Sequence, residues 1–319
     1  MPWLKEDTLA VHALSAHFNY FFHRLNPSPT FERQATSEHA SIVGLLEDRG
    51  GLTAALAPQC FLQGSYRQQT AIHTINDVDI VALCRLWHPS SGSGGELWNR
   101  DRIFATIAAP LLADWRYRDK VRYTPTSMCV KIDLGIKVEI LPVVYTLGNN
   151  DPNVEPFQLY RPQRGQWEES YARYHQAWLS YKNRPEKTGG NFIPAVKVVK
   201  HLRSLYSNAI SFHIESLLYT LPDELFRGGP ADYIASVLEY IAAIPPGPWY
   251  ARELRTPVGE RDIFTSTEWG HDNWMEFHRV VKLWASVATR ARDSTNRGIA
   301  VEYWQMILGK GFFPTEVAL

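Results

Sequence analysis

Apolar positions recur at helical spacing over residues 6–25, and Pro27 and Pro29 end that run. Ser28 ahead of Pro29 predicts a new helix start, with serine as cap and proline in the first turn. That helix is expected to run to about Glu47 and stop at Gly50-Gly51. The period then shortens. Residues 58–63 and 77–84 are β-rich runs flanking a loop over 64–76. "SSGSGG", residues 90–95, predicts a flexible loop, and 97–115 return to helical spacing. Residues 120–132 and 136–144 predict strands joined near Asp133-Leu134-Gly135.

After Pro156 the pattern changes. Residues 168–181, 191–206, 211–220, 231–243, 271–292 and 298–308 all carry helical spacing broken by Pro and Gly. A mixed sheet-and-helix half, residues 1–160, is therefore expected before a helical half, residues 161–319. "IPPGPW", residues 244–249, reads as a rigid turn within the helical half, and no internal repeat is visible.

Composition narrows the choice. The 319 residues suffice for one large domain or two lobes, and 45% apolar content marks a globular chain. Lys plus Arg equals Asp plus Glu, 33 each, so the basic excess usual in nucleic-acid binders is absent. The three cysteines, Cys60, Cys84 and Cys129, stand far apart in apolar sequence and read as buried free thiols. The first residues mix acids and histidines into the apolar pattern, unlike a signal peptide. No apolar run approaches the roughly 18 residues of a membrane helix. The expectation is a soluble cytoplasmic protein with no membrane partner.

Candidate chemistry centres on "FLQGSYRQQTAIHTINDVDIVAL", residues 61–83. Positions i and i+2 of a strand share a face, so Asp77 and Asp79 project together while Val78 and Ile80 face the core. Like charges this close destabilise the fold unless a cation bridges them, and Mg²⁺ suits oxygen ligands when phosphates complete its shell. Taken alone, Asp-x-Asp is common at strand mouths. Gly64 permits close backbone approach to a ligand, Ser65 adds a hydroxyl donor, and a helix start there would aim N–H groups at an anion. Glu139, in the apolar run "IKVEILPVV", is the third acid. Three carboxylates, two ions and a phosphate grip fit nucleotidyl transfer.

"GSYRQQTAIHTINDVDIVAL" resembles the signature of the polymerase-β-type nucleotidyltransferases, a Gly-Ser pair, a spacer and Asp-x-Asp on a strand. More narrowly it resembles the bacterial CD-NTases, relatives of cyclic GMP-AMP synthase, which make cyclic oligonucleotide signals in anti-phage (CBASS) defence. Two departures stand out: Gln69 replaces the usual glycine before Thr70, and Glu139 in "VEILP" replaces the usual aspartate. The resemblance implies an α+β fold, a polymerase-β-like nucleotidyltransferase core of mixed sheet and helices plus a C-terminal helical lobe. It implies metal ligands at Asp77, Asp79 and Glu139, with Asp133 as the rival third acid although it reads as a turn residue. In "NFIPAVKVVKHLRSL" it implies phosphate contacts by Lys197 and Lys200, and in "AISFHIESLLY" a phosphate contact by Ser211 and base stacking by Phe212. A solvated helix face is the plainer reading of Lys197 and Lys200, and core packing that of Phe212. His213 and Glu215 read as structural, Tyr66 as a loop anchor, and Asp272-Asn273 as a helix cap.

The implied activity is Mg²⁺-dependent condensation of NTPs, held with two ions between the lobes, into a cyclic di- or trinucleotide, with Mn²⁺ able to substitute. The implied partners are NTPs and a downstream cyclic-nucleotide effector. Neutral charge and the lack of a zinc-type Cys/His cluster predict no nucleic-acid activator. The alternatives are a same-fold enzyme that modifies tRNA or a protein, and a non-catalytic nucleotide sensor.

Overall fold

The serine-proline start predicted at residue 28 is formed: Ser28 accepts a hydrogen bond from the Phe31 N–H at 3.1 Å with Pro29 in the first turn. The computed structural model describes residues 14–87, 98–146, 148–149, 151–206, 209–246, 254–264 and 269–317. The loop expected at 90–95, the start of the helix expected over 6–25 and the second half of the turn at 244–249 lie outside these residues. The chain divides into two compact units. A sheet unit comprises Ser28–Gln69 and Thr74–Gln176, and a helical unit comprises the described parts of Met1–Pro27, Thr70–His73 and Ala177–Leu319.

In the helical unit the first element is α1, Ser15–Leu25. The sheet unit follows with α2 (Pro29–Leu46), β1 (Gln59–Gln63), a single turn α3 (Gly64–Arg67), β2 (Asp77–Trp87) and α4 (Arg100–Ala113). Strands β3 (Val121–Arg122), β4 (Val130–Asp133), β5 (Lys137–Tyr145), β6 (Phe157–Arg161) and β7 (Gln166–Ser170) complete it. The sheet runs β1-β2-β5-β4-β3, with β6 paired to the far end of β5 and β7 to β6. Only the central β2–β5 pair is parallel among these pairings.

Alternation along β2 and β5 assigns the two sheet faces. Val78, Ile80, Val138 and Ile140 pack against α2 and α4 through Phe31 and Phe104. On the other face Val81, Leu83, Leu141 and Val143 pack with Phe157 and Leu159. Asp77, Asp79 and Glu139 share the parity of this second face and stand at its N-terminal edge, before the apolar cover begins. Two expectations need correction. The strand over 120–132 is two short strands, because Thr124 and Ser127 close a turn between them. Residues 157–161 and 166–170 are strands, so the helix expected from 168 begins only at Ala172.

Helix α5 (Ala172–Lys182) continues from the sheet unit into the helical unit. It is followed by α6 (Pro185–Thr188), α7 (Phe192–Tyr206), α8 (Ser211–Thr220), a 3₁₀ turn Asp223–Phe226, α9 (Pro230–Ala243), α10 (His271–Asp293) and α11 (Arg297–Leu308). Phe192, Val196, Val199 and Leu202 form one apolar stripe of α7 at i, i+4, i+7 spacing and enter the core of this unit with Leu217, Leu238 and Trp274. Gly270, not Asp272, caps α10, and Asp272 lies in its first turn. All three cysteines are free, with Cys84 and Cys129 buried and Cys60 half-buried.

Candidate active site

The sheet unit assembles its acids through register. Asp79 on β2 is paired with Glu139 on β5, and Asp77 with Lys137. On the outer side of β5, Glu139 is paired with Lys131 of β4; on the outer side of β2, Asp79 is paired with Gln63 of β1. Gln63, Asp79, Glu139 and Lys131 therefore form one row across four strands. Neighbouring residues of such a row stand on one face, and in its two antiparallel pairs, Gln63–Asp79 and Lys131–Glu139, the Cβ atoms are expected about 4.5–5.5 Å apart.

Gly64 continues directly from Gln63 with φ +72°, a left-handed conformation that places its backbone against β2. A Cβ there would lie 1.9 Å from Asp79 Oδ2. Ser65 is half-buried within α3, and Tyr66 anchors the turn through an edge contact with Phe31 and a 3.4 Å contact with Thr36 Oγ1. Gln69, where the resemblance led to an expectation of glycine, also has positive φ, +61°; the backbone at that position favours glycine.

Electrostatics mark Asp79 out. Its burial, then the charges of Asp77 and Glu139, push its carboxyl up to about 7, against a smaller opposite pull from Lys131. Glu139 Oε1 accepts a 2.7 Å hydrogen bond from Lys131 Nζ, which holds the ammonium above the usual lysine range. Asp133 is exposed and its Oδ1 accepts from the Gly135 N–H at 3.3 Å, as a turn acid does. Among the described residues no three His, Cys, Asp or Glu side chains are already gathered as a metal cage. The donor set is nonetheless all carboxylate oxygen with mutually repelling charges, which fits a hard divalent cation such as Mg²⁺.

The helical unit holds the remaining candidates. Lys197 Nζ donates to Asn26 Oδ1 at 2.8 Å and is half-buried. Ser211 begins α8 and its Oγ accepts from Arg203 Nη2 at 2.9 Å. Phe212 is half-buried beneath Arg261, whose guanidinium carbon lies 4.6 Å from the ring centre. Lys200 is placed differently from a phosphate contact. Its side chain is 2% exposed, and Nζ donates to Glu215 Oε1 at 2.5 Å and to Thr70 Oγ1 at 3.0 Å. Thr70 Oγ1 in turn donates to the same Glu215 oxygen at 2.5 Å. Lys200 and Glu215 thus form a buried pair that holds the Thr70–His73 segment to α7 and α8. Their spacing on α7 put Lys197 and Lys200 on one broad face, but burial separates them. Lys131 and Arg261 were missed because each meets its partner through tertiary pairing, to which only the alternation in "VKID" offered a clue.

Comparison with known proteins identifies the family. Residues 13–183 match the Second Messenger Oligonucleotide or Dinucleotide Synthetase domain (SMODS), and residues 180–286 match the cGAS/DncV-like nucleotidyltransferase C-terminal helical domain. The chain belongs to the SMODS family of nucleotidyltransferases. Among its relatives, the cyclic UMP-AMP synthase of Rhodothermus marinus is 22% identical over 253 residues, 71% of this chain and 84% of the relative. The cyclic nucleotide synthase CdnE01 of Staphylococcus haemolyticus is 25% identical over 211 residues, 57% of this chain and 69% of the relative. In fold the chain is similar to CdnC of E. coli MS115-1, solved in complex with HORMA-deltaN, with TM-score 0.69 at 15% identity over 95% of this chain and 98% of that one. Among the described residues no helix is long and apolar enough to cross a membrane.

Proposed function

We propose that the chain condenses NTPs into a small cyclic di- or trinucleotide, using two divalent cations held by Asp77, Asp79 and Glu139. The observation that carries this reading is the register of β2 with β5, which sets Asp79 beside Glu139 on the face bordered by Gly64. The backbone of Gly64, set against Asp79, and the hydroxyl of Ser65 that follows it suit a triphosphate. When bound, Mg²⁺ would supply the positive charge that lowers the pKa of an attacking ribose hydroxyl and offsets charge on the departing pyrophosphate. The protein residues supply position: β2 and β5 hold the carboxylates on rigid strands, and α3 places the phosphate donors.

On the helical unit, Lys197 and Ser211 are the phosphate contacts and Phe212 the base-stacking surface of this proposal. Lys200 is reassigned to the buried pair with Glu215. The relatives' names support a cyclic product, and from the resemblance we extend the reading to a cytoplasmic signal read by a cyclic-nucleotide effector in anti-phage defence. The purified chain, given the four NTPs with Mg²⁺ or Mn²⁺, is expected to yield such a product by mass spectrometry. The variant carrying Asp77→Asn and Asp79→Asn together is expected to yield none while remaining folded. Near-normal synthesis by that variant would overturn the assignment.

A further inference from the structure

We propose that Lys131 is a positioning residue that keeps divalent cations from settling on Glu139 until a nucleoside triphosphate arrives. This rests on the reading of Glu139 as an ion ligand. The row Asp79–Glu139–Lys131 puts Glu139 between a like charge and an opposite one. Its Oε1 is already taken by Lys131 Nζ at 2.7 Å, so that oxygen is engaged on the β4 side of the row.

A cation binding alone has to compete with that ammonium for the same oxygen. The competition is winnable because the Lys131 side chain is 55% exposed, whereas Glu139 is 23% exposed. An exposed ammonium on a flexible four-carbon stem can leave its partner at little cost, because water replaces the lost contact. A triphosphate changes the balance. Its negative charges stabilise the cation and offer Lys131 another anion, so ion and nucleotide load together.

The effect is readable as ion affinity without any turnover. Calorimetric titration of the nucleotide-free protein with Mn²⁺ is expected to show Lys131→Met binding about three- to tenfold more tightly than wild type, the scale of one largely solvated charge. Lys131→Arg keeps the charge and is expected to bind like wild type. A non-hydrolysable NTP analogue is expected to shrink the difference between wild type and Lys131→Met. Damage to the site would instead weaken binding, so the sign separates a gating lysine from a merely structural one. Unchanged or weaker Mn²⁺ binding by Lys131→Met, with Glu139→Gln weakened, would overturn the inference and leave the ligand assignment standing. A difference undiminished by the analogue would overturn the coupling to nucleotide. If Glu139→Gln binds Mn²⁺ like wild type, Glu139 is no ligand, and assignment and inference fall together.

Discussion

Gly64 leaves no room for a side chain beside Asp79: a Cβ at residue 64 would come within 1.9 Å of Asp79 Oδ2. The close approach and the positive φ impose glycine for two separate reasons. Gly64→Ala is expected to cost about 1–2 kcal/mol of stability from the left-handed backbone. It is expected to reduce NTP condensation about 100-fold or more, because Asp79 must move from its place beside Glu139. Denaturant melts and initial rates measure the two effects. A stable, fully active Gly64→Ala protein would show that neither constraint matters.

The raised carboxyl of Asp79 sets a pH dependence for the metal-free protein. The group titrates near 3.8 when unfolded and near 7 when folded. Between those values the folded state holds the extra proton, so stability falls as pH rises through the window and levels off above about 7. In EDTA, urea melts at pH 5 are expected to show a more stable protein than melts at pH 8, once titrations elsewhere are removed by comparison with Asp79→Asn. That variant is expected to have a flatter profile and higher stability at pH 8. A profile unchanged by the substitution would place the charge repulsion elsewhere.

Lys200 makes a prediction about stability in place of affinity. Lys200→Met leaves Glu215 buried without its cation, which is expected to cost about 3–5 kcal/mol. Combining it with Glu215→Met is expected to restore much of that loss, since both charges are then gone. At temperatures where Lys200→Met stays folded, the KM for NTP is expected to remain near wild type. A KM raised tenfold without loss of stability would return Lys200 to the phosphate.

Phe212 tests the helical unit. Stacking on a base is worth about 1–3 kcal/mol, so Phe212→Ala is expected to weaken NTP binding about 5- to 150-fold with little change in melting temperature. Phe212→Tyr keeps the ring and is expected to bind nearly as wild type. A fall in melting temperature with unchanged affinity would assign the ring to packing with Arg261.

Local pattern carried the elements whose burial is one-sided. The stripe Phe192-Val196-Val199 and the alternation Val78-Ile80 mark a helix and a strand without knowledge of partners. The break within 120–132 depended on a Thr124–Ser127 turn too polar to stand out from a strand edge. Strands over 157–170 were obscured because Tyr160, Trp167 and their charged neighbours give no clear alternation. In the site, the Gly-Ser turn and the two aspartates were legible because their spacing is local. Lys131 was not, since its role depends on which residue of β5 it faces, a fact of register. Lys200 was legible as a lysine on a helix, but its burial against Thr70 and Glu215 comes from contacts 130 and 15 residues away.

The central claim is a cyclic product made from NTPs alone. The most direct measurement is mass spectrometry of the products formed by the purified chain with NTPs and Mg²⁺, before and after phosphatase. A phosphatase-resistant species with the mass of a cyclic di- or trinucleotide, formed without added DNA or tRNA, is the predicted result. Phosphatase-sensitive linear chains, or synthesis only when a nucleic acid is supplied, would contradict it.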